Sequence, residues 1–274
     1  IMADKFTPHL DMTGSVVKSD KPVVVYGGHA RTETPIDYFY NDNTGQHTSR
    51  DHLCEAMPPT STWGTSFIAK NFGRDSGDIL RVLALNDNTV VRINGKIWCT
   101  LMADKFRDTI IDQDKSVALN NNETDETADS GHRVLDGMIG HTAINGAKGD
   151  PFLAIVPPLN QTYNDFTYFI KNDSVNYLPD QQFLIIATER SNVDNISIGA
   201  NKLPAVLFTP IPGIFKNGRQ YSVTTLNQPM GIGRIQTSGL SETGFTILAY
   251  GWGPLISYGS TAGPLLKPIG GIMP

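Results

Sequence analysis

The chain has 274 residues, of which 39% are hydrophobic and 18% charged, a composition typical of a folded protein rather than a disordered one. Its formal net charge is −5 and it contains no run of lysine or arginine, which excludes the basic surface that nucleic-acid binding requires. No stretch reaches the roughly 18 consecutive apolar residues of a membrane span. The first residues do not have the pattern of a signal peptide, so we expect any secretion signal to lie upstream.

The pattern of strand-forming residues predicts an all-β protein. Gly and Pro, with 26 and 17 occurrences, recur at short intervals and leave no room for long helices. Between them, β-branched and aromatic runs predict strands at 22–26, 79–85, 89–93, 166–170, 183–187, 196–198, 221–225 and 245–250. Short strands at this spacing predict antiparallel β-sandwiches. Asn86-Asp87-Asn88 and Asn94-Gly95 predict hairpin turns, because both residue types accept positive φ.

Short sequence matches predict a tandem organisation. The residues Met-Ala-Asp-Lys-Phe occur at 2–6 and again at 102–106, which with fainter matches indicates a domain-sized repeat of roughly 100 residues. We therefore expect a first β-sandwich unit at 1–100 and a second at 101–274 that ends in a partial repeat. The match at 102–106 falls late in its unit, so the first unit is expected to lack its leading strands.

The cysteines and the sequons suit an oxidising, extracellular compartment. Cys54 and Cys99 match no metal-binding or redox spacing, which leaves one disulfide or two buried thiols, and we favour the disulfide. Sequons at Asn122, Asn160, Asn172 and Asn195 are candidate glycosylation sites on exposed loops. We expect the protein to be secreted.

The residues best suited to metal or acid–base chemistry are His29, Asp51, His52 and Glu55, but their spacing is not that of a zinc site. We expect these side chains to make structural hydrogen bonds. The oxygen-rich stretch at 37–43 is expected to be a plain loop rather than a calcium site. The cysteines lack an adjacent histidine and no Gly-x-Ser-x-Gly elbow occurs, so we expect no catalytic activity and no cofactor.

An aromatic stretch is the first candidate for binding a partner. Tyr38-Phe39-Tyr40 combines broad amphipathic side chains that are enriched at interfaces. The alternative is an ordinary edge strand, because the same residues favour strands.

Several segments in fixed order resemble a known family. The segments lie at 21–29, 51–59, 62–68, 86–91, 93–95, 149–152 and 257–259. They are similar to the IgGFc-binding protein N-terminal domain family, and the block Asp-His-Leu followed by Pro-Pro and Trp-Gly is the most specific part. The resemblance implies an extracellular, non-enzymatic adhesive or scaffolding module that binds other glycoproteins or copies of itself. The alternative is a carbohydrate-binding module.

The expected incompleteness of the first unit also predicts assembly. A sandwich that lacks strands exposes unpaired backbone groups. We expect residues 1 to about 30 to pair with an upstream segment, a cleaved partner chain or a neighbouring copy by strand addition. The alternative is that strands of the same chain close the gap.

Overall fold

The fold is all-β, as the sequence predicts. The computed structural model describes residues 2–3, 11–32, 34, 50–74, 77–112, 116–121, 133–139, 149–170, 181–212, 218–228, 231–238, 244–253 and 256–261. Within this part, the helical structure is 3₁₀ and short, with segments at Thr60–Thr62, Arg190–Asn195 and Ala205–Leu207. None of the described helical segments is long and apolar enough to span a membrane.

The strands of the described chain follow one another at short intervals. In chain order they are β1 (Met2–Ala3), β2 (Tyr26–Thr32), β3 (Asp51–Ala56), β4 (Ser66–Lys70), β5 (Asp78–Ala84), β6 (Thr89–Ile93), β7 (Lys96–Leu101), β8 (Phe106–Ile111), β9 (Ser116–Asn121), β10 (Val134–Ile139), β11 (Leu153–Ile155), β12 (Asp165–Ile170), β13 (Gln181–Glu189), β14 (Ile196–Ile198), β15 (Asn201–Lys202), β16 (Thr209–Pro210), β17 (Tyr221–Asn227), β18 (Gly231–Thr237), β19 (Phe245–Gly253) and β20 (Ile256–Thr261).

The same eight-stranded sandwich topology occurs twice. The first sandwich has the sheets β4-β9-β6-β7 and β11-β10-β5-β8. The second has the sheets β12-β18-β14-β15 and β20-β19-β13-β17, and β16 is added at the edge of β17. Taken in chain order, β4 to β11 occupy the places that β12 to β15 and β17 to β20 occupy in the second sandwich. All of these pairings are antiparallel.

The strand pairing runs across the boundary expected at residue 100. Strands on both sides of that point belong to the same sheets, since β5 pairs with β8 and β4 pairs with β9. We infer that the division lies between β11 and β12, and that the first sandwich has all its strands. The two copies of Met-Ala-Asp-Lys-Phe do not occupy equivalent places in the fold. Met2 lies in strand β1, whereas Met102 lies at the turn after β7. The sequence repeat itself stays a prediction.

Most predicted strands are present with slightly different ends. The predicted segment at 79–85 forms β5, 183–187 forms the middle of β13, and 245–250 begins β19. The segment at 22–26 is the exception, because the strand there begins only at Tyr26. The hairpin at Asn94-Gly95 is confirmed by positive φ at both residues between β6 and β7.

The loop at Asn86-Asp87-Asn88 is not a hairpin. It leads from β5 to β6, which lie in different sheets. Asn88 has a φ of 58°, so the residues do make the tight turn that their type predicts. The turn crosses the sandwich, however, and the side chains of Asn86 and Asp87 accept backbone N–H groups from Arg133 and Ala103.

The central sheet, β16-β17-β13-β19-β20, is buried on both faces. Leu184 and Ile186 of β13 pack into the core of the second sandwich. Ile185 and Ala187, on the opposite face, pack into the core of the first. A continuous apolar run is what a strand buried on two faces requires, and it explains why this strand was predictable.

A three-stranded N-terminal sheet covers the outside of the first sandwich. β1 pairs in parallel with β2, and β2 pairs antiparallel with β3. Leu53 of β3 packs against Ile79, Ile139 and Leu153, which lie on the outer face of the sheet β11-β10-β5-β8. The N-terminal residues therefore form an accessory layer.

A buried charge holds the two sandwiches and the segment at 149–152 together. The Arg74 side chain is 3% exposed, and its Nε lies 3.9 Å from Oδ1 of Asp78. Its Nη2 donates a hydrogen bond of 2.8 Å to the carbonyl of Asp150. Next to it, the backbone N–H of Phe72 donates to Oδ2 of Asp78, and the Trp252 indole of β19 donates to the Phe72 carbonyl. One network thus reaches from β5 to β19.

We predict that Asp78→Asn destabilises the fold by about 3 kcal/mol, because it leaves a buried guanidinium without its nearest counter-charge. Asparagine keeps the size of the side chain and an acceptor for Phe72. Urea denaturation measures the loss. The matched control is Asp165→Asn, which removes an exposed ion pair with Arg234 and is expected to leave the midpoint unchanged. Equal effects of the two variants would contradict the role given to Asp78.

Candidate functional site

Several residues singled out from the sequence lie outside the described residues. These are the aromatic stretch Tyr38-Phe39-Tyr40, the oxygen-rich stretch at 37–43, and the sequons at Asn122 and Asn172. The binding role of the aromatic stretch stays a prediction.

The four candidate metal or acid–base residues lie on β2 and β3, and three of them make local hydrogen bonds. The ring Nδ1 of His29 accepts the backbone N–H of Arg31 at 3.1 Å. Oδ1 of Asp51 accepts the backbone N–H of His52 at 2.7 Å and lies 2.9 Å from Nδ1 of its ring. Within the described chain, no three His, Cys, Asp or Glu side chains are grouped so that they could hold a metal ion.

Glu55 instead faces the last strand of the second sandwich. The hydroxyl of Thr261, at the end of β20, donates to Oε1 of Glu55 at 3.2 Å. Burial raises the pKa of Glu55 to about 7, although hydrogen bonds from Thr261 act in the opposite direction. The contact joins the N-terminal sheet to β20 across 206 residues of chain. Glu55 is therefore part of a joint between units.

Asp150 occupies the same joint. Burial, together with the charge of Asp51, raises the pKa of Asp150 to about 6, and Arg74 and Arg31 oppose the shift. Its backbone N–H donates to the Ser257 hydroxyl at 3.1 Å, and that hydroxyl also contacts the carbonyl of Asp150. Asp150 carries no chemical signal in the sequence beyond its place in one of the family-like segments.

Two of the family-like segments, 149–152 and 257–259, bind each other. Gly149 has a φ of 86°, and a Cβ there would lie 2.9 Å from the carbonyl oxygen of Ile256. The ring of Phe152 packs directly on Gly259, where a Cβ would clash with it. Only glycine fits either position. These residues have a structural role in fastening β20 to the first sandwich.

Both cysteines are free thiols in the structure, and the disulfide expected between them stays a prediction for thiol labelling to decide. Cys54 is exposed on β3, whereas Cys99 is buried on β7. The two strands belong to different sheets, and burial raises the pKa of the Cys99 thiol although Arg107 opposes it. Spacing alone could not show that the two strands lie apart.

Two sequons lie within described residues and differ in accessibility. Asn160 is exposed at a turn before β12. Asn195 is half-buried, and its Nδ2, the atom that a glycan would occupy, donates to Oδ1 of Asn192 at 3.4 Å. Glycosylation stays a prediction, and the geometry favours Asn160.

The exposed apolar side chains are concentrated in one segment, residues 12–26, which we call the arm. Six of the twelve exposed large hydrophobic residues of the described chain lie there: Met12, Val16, Val17, Val23, Val24 and Tyr26. Val24 reaches 75% exposure. Sequence reasoning predicted a strand at 22–26, and two of the valines that suggested it, Val23 and Val24, are exposed in the part of the chain that the structure describes.

Three more exposed hydrophobic residues lie on β7, on β8 and in the turn between them, which together we call the open edge. They are Ile97, Met102 and Ile110. β7 and β8 are terminal strands of the two sheets of the first sandwich. The Arg107 guanidinium of β8 lies 5.1 Å from the Trp98 ring of β7, so the two strands lie side by side at one flank.

Two cavities among the described residues are too small for a ligand. They measure about 10 and 20 Å³, which suffices for about one water molecule. One lies between the sandwiches, lined by Met138, Ile185 and Leu248 among others. The arm and the open edge carry most of the exposed large hydrophobic residues of the described chain, which makes them the candidate binding surfaces.

Comparison with known proteins gives one extensive match. The family model described as IgGFc binding protein matches residues 5–251. The curated proteins contain no significant match to the chain. A solved structure described as an "anti-sigma factor domain-containing protein" is 9% identical and covers 72% of this chain and 87% of that chain, with a TM-score of 0.19. That likeness is too weak to support an argument.

We predict that Glu55 makes the fold less stable as the pH rises from about 4.5 to about 7. The folded-state pKa is raised, so the folded protein keeps a proton that the unfolded chain has already released, and the stabilisation is complete only below the unfolded value. The expected loss is on the order of 2 kcal/mol after solvent screening. Urea denaturation across this range, compared with Glu55→Gln, isolates the effect of Glu55 from other titrating groups.

Thr261→Val serves as the matched control for this measurement. It removes a hydroxyl that lowers the pKa of Glu55, so the pH at which the loss ends should move upward. A stability difference between the wild type and Glu55→Gln that does not vary with pH would contradict the prediction.

The cysteine geometry predicts stepwise thiol labelling. Without reductant, Cys54 should react in the native protein and Cys99 only after unfolding, because Cys99 is buried. Mass spectrometry counts the labels, and Cys54→Ser should abolish native labelling. An absence of reactive thiols in denaturant would show that a disulfide exists.

Proposed function

The chain belongs to the IgGFc binding protein family, and from this premise we propose that it is an extracellular, non-enzymatic adhesive or scaffolding module. Its partners are other glycoproteins or copies of itself. The observation that carries the proposal is the concentration of exposed apolar side chains on the arm. Contiguous exposed apolar surface marks an interaction site in a folded protein.

The backbone of the arm also supports a binding role. Within the described chain, residues 16–24 make one backbone hydrogen bond, from the N–H of Lys21 to the hydroxyl of Ser19. β-branched residues favour an extended conformation. Unpaired backbone groups next to exposed valines are the features that strand addition uses, in which main-chain hydrogen bonds supply affinity and side chains supply specificity.

The chemistry of the arm favours a protein partner over a carbohydrate. A sugar site needs aromatic rings exposed together with polar groups, and the tryptophans do not provide such a platform. Trp63 and Trp252 donate their indole N–H groups to Pro58 and Phe72, and Trp98 packs on the core of the first sandwich. Burial of a valine side chain contributes about 1.5 kcal/mol, so removal of two arm valines from an interface should weaken it measurably.

Binding measurements with immobilised immunoglobulin Fc, a panel of secreted glycoproteins and their released glycans test this proposal. We expect binding to at least one intact protein and none to the free glycans. The double variant Val17→Lys/Val24→Lys should weaken binding by about tenfold or more, because it removes apolar contacts worth over 1.4 kcal/mol.

The control for the binding test is Val206→Lys, which changes a residue of 88% exposure outside the arm and should bind like the wild type. Binding of the free glycans with undiminished affinity would overturn the proposal in favour of a carbohydrate-binding module. Unchanged protein binding by the arm variant would show that another surface is responsible.

A further inference from the structure

We propose that the arm of one copy adds as a strand to β8 at the open edge of a second copy, and that two copies exchange their arms reciprocally. The proposal rests on the proposed function, since it specifies how copies of this chain bind one another. Residues 16–21 form the added strand, because Pro22 lacks the N–H group that a longer ladder would need.

The second sandwich shows that this edge of the fold accepts a further strand. β16 pairs with β17, with Thr209 opposite Val223 and Pro210 opposite Ser222. The strand in the same place in the first sandwich is β8, and within the described chain it pairs only with β5. The first sandwich therefore offers a row of backbone N–H and C=O groups at the position that the second sandwich covers.

Apolar exposure is concentrated on the two surfaces that would meet. Nine of the twelve exposed large hydrophobic residues of the described chain belong to the arm or the open edge. On β8, Ile110 is 48% exposed and is the apolar side chain available to an added strand. Since one copy leaves both surfaces uncovered, contact between copies would bury both at once.

The residues around the start of the arm, 11–14, lie close to β8, the strand to which the arm would add. Nη1 of Arg81 donates to Oδ2 of Asp11 at 2.6 Å and to the hydroxyl of Thr13 at 2.8 Å. Gly14 lies against the carbonyl of Asp104, two residues before β8. Each arm thus departs next to the edge that it would receive, so that a two-fold axis near β8 lets both arms cross to the opposite copy.

Disulfide trapping between two distinguishable copies tests the proposal. In a Cys54→Ser background, one copy carries Val17→Cys and the other, with a tag of different mass, carries Ile110→Cys. After mild oxidation of the mixture, we expect a cross-linked heterodimer that is abundant in native buffer and lost in urea. Val206→Cys in place of Val17→Cys is the matched control and should cross-link at least tenfold less.

A chain that carries both cysteines distinguishes exchange from closure within one copy. Cross-linked dimers support the proposal, whereas a purely intramolecular bond overturns it in favour of closure within the chain. Equal cross-linking by the control overturns it as well. Sedimentation analysis should show that Ile110→Lys and Val17→Lys each weaken self-association by about tenfold or more.

The same variants separate this proposal from the proposed function. Ile110→Lys should lose self-association and keep binding to a glycoprotein partner. If no self-association is found while arm variants still lose glycoprotein binding, the strand exchange fails and the proposed function stands. If the copies cross-link and no glycoprotein binds, the strand exchange is supported and the proposal of glycoprotein partners is contradicted.

Discussion

The buried guanidinium of Arg74 is the constraint on which the joining of the two sandwiches depends. A charge taken out of water is stable only where several oxygens and a counter-charge surround it. Here the carboxylate of Asp78 and the carbonyl of Asp150 supply them, and the Phe152 ring covers the guanidinium at 5.0 Å. Because these groups come from two separate parts of the chain, around residues 74–78 and 150–152, the charge is compensated only when both parts are assembled.

The sheet β16-β17-β13-β19-β20 extends this dependence to the apolar core. It contributes Leu184 and Ile186 to one core and Ile185 and Ala187 to the other, so separation of the sandwiches would expose one of its faces. Two further contacts attach β20 of the second sandwich to its neighbours. The Phe152 ring packs on Gly259, and the Thr261 hydroxyl donates to Glu55. From these shared contacts we expect the two sandwiches to unfold together as one cooperative unit.

The sequence predicts those elements that are specified by their own residues rather than by contacts with distant residues. Runs such as 79–85 and 183–187 are apolar enough to specify a buried strand by themselves, and Asn94-Gly95 specifies its turn. β3, in contrast, contains Asp51, His52 and Glu55 and becomes a strand only because β2 pairs with it, which is a tertiary effect. The network of Arg74 and Asp150 joins residues 76 positions apart, so no spacing rule could find it.

The open edge is a point at which the two sandwiches, which share one topology, differ. In the second sandwich, the strand equivalent to β7 is reduced to two residues and the strand equivalent to β8 is covered by β16. In the first, both strands are six residues long. Long uncovered edges promote uncontrolled aggregation unless charges interrupt them, and both strands carry charges, with Lys96 next to Ile97 on β7 and Arg107 and Asp108 on β8. The charged side chains oppose uncontrolled aggregation of the open edge, and its exposed apolar side chains can still pack on an added strand. This combination suits contact with one specific strand.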